Sequence, residues 1–68
     1  MKNVKYPGLM GEMGKHGDTQ RALAKILGIT YSSVWRRLNG QKEWTISEVD
    51  KICAHYGKDY YELFKKND

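Results

Sequence analysis

Cys53, His16 and His55 supply the thiol and imidazoles with which this chain could bind a metal or pair a nucleophile with a base. Their spacings match no zinc pattern, and residues two apart, such as Cys53 and His55, do not share a helix face. Cys53 falls on an apolar stripe and reads as a buried structural thiol. There is no glycine-rich phosphate loop, no pair of catalytic carboxylates and no nucleophile elbow. No enzyme, metal or cofactor is expected.

A second set of residues suits another chemistry. Tyr31, Ser32, Ser33, Arg36, Arg37, Asn39 and Lys42 lie within twelve positions, with Gln20 shortly upstream. Hydroxyls, amides and guanidinium groups are the side chains that contact phosphates and base edges. The charge distribution agrees. The net charge is +4, but residues 1–42 hold eight Lys or Arg against Glu12 and Asp18, whereas residues 43–68 hold four against six acids. A basic part beside a mildly acidic one is the footprint of a polyanion binder, although a solvated surface would also carry such charges.

These residues need elements to position them. Pro7-Gly8, Gly17, Gly28, Asn39-Gly40 and Gly57 divide the chain into five short pieces with apolar residues at helical spacing. Helices are predicted over Pro7 to about Lys15, Thr19–Leu27, Tyr31–Leu38, about Ile46 to Tyr56, and Tyr60 to about Lys65. Asp18 or Thr19 can cap the second and Thr30 the third. Thr45 with Glu48 fits a capping box for the fourth, and Asp59 with Glu62 has the same spacing for the fifth. Ile46, Val49, Ile52, Cys53 and Tyr56 form the fourth helix's apolar stripe. The reading is a single all-α domain of five helices spanning 1–68, with its core in about 6–65. Lys2 and Lys5 would form either a basic arm or a disordered tail.

The second and third helices flank the short turn Gly28-Ile29-Thr30, which is the spacing of a helix-turn-helix over about Thr19–Gly40. Ala24 is small enough for a close crossing. Leu23, Leu27, Ile29 and Val34 would fix the interhelical angle. At 100° per residue, an inward Val34 takes Leu38 with it and turns Ser32 and Arg36 outward. Tyr31 sits at the tip that approaches a major groove first. Ser32 and Arg36 are the expected base readers, with Tyr31 and Ser33 assisting. Asn39 and Lys42 would hold the phosphates that follow. Trp35, on the flank, has three open partners: a thymine methyl, a second subunit or helix five.

The segments "TQRALAKILGIT" and "VWRRLNG", with "WTISEVDKICAHYGKDYYELF" downstream, resemble the Cro and phage-repressor family of helix-turn-helix DNA-binding proteins. The resemblance covers about residues 6–65. It implies a lambda-repressor-like fold and a contact between Gln20 and the DNA backbone. The chain departs from the family at Arg37, where an apolar or aromatic residue is usual. Leu38 and Trp44 could take over that packing and free Arg37 for phosphate.

The expected function is sequence-specific binding of double-stranded DNA by a homodimer, as a phage or prokaryotic repressor. The alternative is a protein-interaction module such as an antitoxin. A lone cysteine, no run of ~18 apolar residues and no signal-peptide core point to the cytoplasm and away from membranes.

Overall fold

Local signals in the sequence set where each helix starts and stops. The computed structural model describes residues 5–65, and these form five α-helices: α1 Pro7–His16, α2 Gln20–Leu27, α3 Tyr31–Leu38, α4 Ile46–Tyr56 and α5 Tyr60–Phe64. The Thr19 hydroxyl accepts from Ala22 N–H, Thr30 from Ser33 N–H and Thr45 from Glu48 N–H. Capping boxes close at Thr45 with Glu48 and at Asp59 with Glu62. Each satisfies backbone donors that a helix start would otherwise leave unpaired.

Of the two candidate caps of α2, Thr19 takes the role. Asp18 instead accepts from the Tyr56 hydroxyl at 2.9 Å and pairs with His55 at 3.1 Å, tying the start of α2 to the end of α4. The hydrogen bond from His55, then that from Tyr56, holds the Asp18 carboxyl below the usual carboxylate range. Burial, helped by the neighbouring Asp18 carboxylate, pushes the Tyr56 phenol well above its ordinary value.

Packing places α1 against α5, α2 against both α3 and α4, and α4 against α5. Leu9, Leu23, Val34, Ile52 and Leu63 are fully enclosed, so every helix contributes one residue to the centre of the core. Burying each contributes about 1.5–3 kcal/mol. Tyr6 joins them, with its ring edge-on to Trp44 and Phe64.

Two expectations need correction. Ile46 begins the apolar stripe of α4 in sequence but is 82% exposed, whereas Glu48 in the same turn is buried against Arg37 of α3. Cys53 is only half-buried and lies at the core's edge, where burial raises its thiol pKa. Among the described residues, no helix is long and apolar enough to cross a membrane, and no cluster of three His, Cys, Asp or Glu could hold a metal.

Candidate nucleic-acid interface

The turn between α2 and α3 is three residues long. Gly28 takes φ +71°, a left-handed conformation that costs glycine nothing and L-residues about 1–2 kcal/mol. Its N–H and that of Ile29 both donate to the Ala24 carbonyl, closing the end of α2. Leu23 and Leu27 from α2 meet Val34 and Leu38 from α3 in the core, and Ile29 packs against them. With that face inward, the opposite face of α3 is fixed by helical geometry. Ser32, Trp35, Arg36 and Asn39 are exposed on it, at positions i, i+3, i+4 and i+7.

The expected site residues divide into three groups. Ser32 and Arg36 stand in solvent on the outer face of α3, and Tyr31 stands exposed at its first turn. Tyr31 is held there by Arg21, whose guanidinium lies 5.0 Å from its ring centre, a cation–π contact joining the starts of α2 and α3. Arg21 is therefore a cation of this face, although its position in sequence singles out nothing.

The second group is used partly by the fold. Ser33 is half-buried, and its hydroxyl accepts from Thr30 at 2.9 Å. The Asn39 side-chain amide donates to the Trp35 carbonyl at 2.8 Å and closes the last turn of α3. Gln20 opens α2 half-buried, with its side-chain oxygen enclosed and unpartnered among the described residues. Phosphate offers only acceptors, so a contact from Gln20 must come from its NH2 group or from the backbone N–H groups that α2 leaves open at its start.

Arg37 forms the third group and corrects an expectation. It is not free for phosphate. It is 7% exposed, its Nε donates to Glu48 Oε1 at 2.8 Å, and its Nη1 donates to the Ser33 carbonyl at 3.2 Å. This buried ion pair fastens α3 to the start of α4. The same Glu48 oxygen accepts from Thr45 N–H at 3.0 Å, so one carboxylate serves both the cap and the pair.

Beyond α3 the chain turns through Gly40 at φ +77°, and Lys42 follows in solvent. A Cβ at Gly40 would sit 2.7 Å from Lys5 Cε, so the Lys5 stem lies across the end of α3. That brings one of the two N-terminal lysines beside this face; Lys2 lies outside the described residues. The exposed cations grouped around α3 are thus Arg21, Arg36, Lys42 and Lys5.

A search of curated proteins and of solved structures finds no significant match to this chain. A protein-family model does match, over residues 8–68, which takes in all of α2, α3 and α4 with the turns between them. By that match the chain belongs to the BetR domain family.

Proposed function

We propose that this protein binds double-stranded DNA sequence-specifically, with α2, the Gly28 turn and α3 working as a helix-turn-helix of the Cro and phage-repressor kind. Occupancy of an operator would make it a prokaryotic or phage transcriptional repressor acting in the cytoplasm. The observation that supports this best is the division of α3. Val34, Arg37 and Leu38 are spent on the fold, while Ser32 and Arg36 are exposed side by side and surrounded by cations. Arg36 suits the O6 and N7 of guanine, and Ser32 either kind of base edge. Gln20, Arg21, Lys42 and Lys5 would hold phosphates and set the register of α3 in the major groove.

A homodimer is the form that would use this surface best, since two copies can read half-sites about 34 Å apart on one side of the duplex. A groove of about 400 Å³ between α4 and α5 supports a subunit contact. Trp44, Val49 and Phe64 line it, and the exposed Ile46 and Tyr60 stand at its rim.

Selection from a random duplex library tests the proposal, followed by affinity for the enriched site against salt. An inverted repeat is expected, with log K falling linearly as log salt rises and a slope set by the phosphates contacted. An absence of enrichment with salt-insensitive binding would refute it.

A further inference from the structure

We infer that Trp35 is a base-reading residue and that its ring contacts the 5-methyl group of a thymine adjacent to the base pair Arg36 reads. The inference rests on the proposed role of α3 and deepens it.

Trp35 is 44% exposed, one of four exposed aromatic side chains among the described residues, with Tyr31, Tyr60 and Tyr61. The aromatic pairs of the described residues join Tyr6, Trp44, Tyr60 and Phe64 around α5, and His16, His55 and Tyr56 around the end of α4. Trp35 belongs to neither group and is not part of the core cluster. No ring of helix five pairs with it among the described residues.

Its backbone, by contrast, is held firmly. The Trp35 carbonyl accepts both the Asn39 backbone N–H at 3.1 Å and the Asn39 side-chain amide at 2.8 Å. The exposed part of an indole on a fixed backbone is available to an external partner.

The exposed neighbours of Trp35 along α3 are Tyr31, which Arg21 holds, with Ser32, Arg36 and Asn39, and the polar members suit a polyanion. The other exposed apolar groups of the second half of the chain, Ile46, Tyr60 and Tyr61, lie on α4 and α5. A protein partner would be expected there. In the major groove the only apolar group on the base edges is the thymine methyl. An aromatic ring one residue from the guanine-reading arginine is placed to cover it.

The test uses the site enriched by the wild-type protein, with each thymine near the Arg36 contact replaced singly by deoxyuridine. That change removes one methyl and nothing else. At one position the wild type should lose about fourfold in affinity, the equivalent of one buried methyl. Trp35→Ala should bind more weakly and no longer distinguish thymine from deoxyuridine there. Trp35→Phe, which keeps a ring, should retain part of the discrimination, and Arg36→Ala should retain all of it. An enriched site without a thymine beside the Arg36 base, a wild type indifferent to every replacement, or a Trp35→Ala variant that keeps the penalty would each overturn the inference. So would a Trp35→Ala variant that changes only the mass of the complex, since that marks a subunit contact. Failure of the underlying reading looks different, because the wild type would then bind no duplex.

Discussion

Removing the partner of Arg37 tests the account of α3 at its hidden side. Arg37 and Glu48 are both 7% exposed and meet at 2.8 Å. Breaking a buried pair by deleting one member strands the other charge and costs about 3–5 kcal/mol. Glu48→Ala also removes the carboxylate that accepts Thr45 N–H, so the start of α4 loses its reciprocal cap. A 68-residue domain has a total stability of roughly 3–10 kcal/mol at 0.05–0.15 kcal/mol per residue, so this variant should lose a third of its stability or more. Glu48→Gln keeps an acceptor for both donors and loses the negative charge that faces the Arg37 guanidinium, at a cost of about 1–2 kcal/mol. With a urea dependence of about 1 kcal/mol per molar, its midpoint should fall by roughly 1–2 M. The double variant Arg37→Met/Glu48→Gln removes both charges, keeps the cap and fills the site, and should recover most of the loss. Circular dichroism in urea reads all three. The double variant should also keep its affinity for the selected duplex, because Arg37 does not reach the outer face. A Glu48→Gln midpoint equal to wild type would refute the energetic argument. A tenfold loss of DNA affinity in a folded double variant would return Arg37 to the interface.

Other outcomes follow from the packing. Gly8 lies against the backbone carbonyl of Glu62, where a Cβ would collide with main-chain atoms; Gly8→Ala should therefore separate α1 from α5 and destabilise the domain by about 1–3 kcal/mol or more, read as a lowered thermal midpoint. Gly11→Ala faces open space and should raise the midpoint slightly through helix propensity. The raised Tyr56 pKa gives stability that is complete below its unfolded value near 10 and is lost as pH climbs toward the folded value, so Tyr56→Phe should flatten the alkaline limb of a stability–pH curve. The lowered Asp18 pKa acts oppositely: its contribution is present above about 3.8 and disappears as pH falls through the folded value, so Asp18→Asn should flatten the acid limb.

The helix boundaries were legible because their signals are local. Thr19, Thr30, Thr45 and Asp59 each cap the helix that follows, and a left-handed Gly28 stands between α2 and α3 as its position in sequence implies. The inward direction of Val34 and Leu38 was equally legible from periodicity. What escaped depends on residues distant in sequence. Tyr6 is buried only because Trp44 and Phe64 arrive around it. Ile46 is exposed because the side of the first turn of α4 that meets α3 carries Glu48 instead. Arg37 looked like a surface cation until Glu48, eleven residues on, was brought beside it. Glu48 was visible in sequence as a capping residue, but nothing local linked it to Arg37. Arg21 carried no sequence signal, because its contact with Tyr31 exists only once α2 and α3 cross.

The central claim is that the outer face of α3 reads base sequence, and parallel selections with the wild type and Arg36→Ala test it most directly. The account predicts that the two preference matrices differ at one base pair per half-site, where a guanine preference worth about 1–3 kcal/mol disappears while the rest of the site is retained. Identical matrices, with affinity lowered uniformly across all sequences, would make Arg36 a phosphate contact and contradict it.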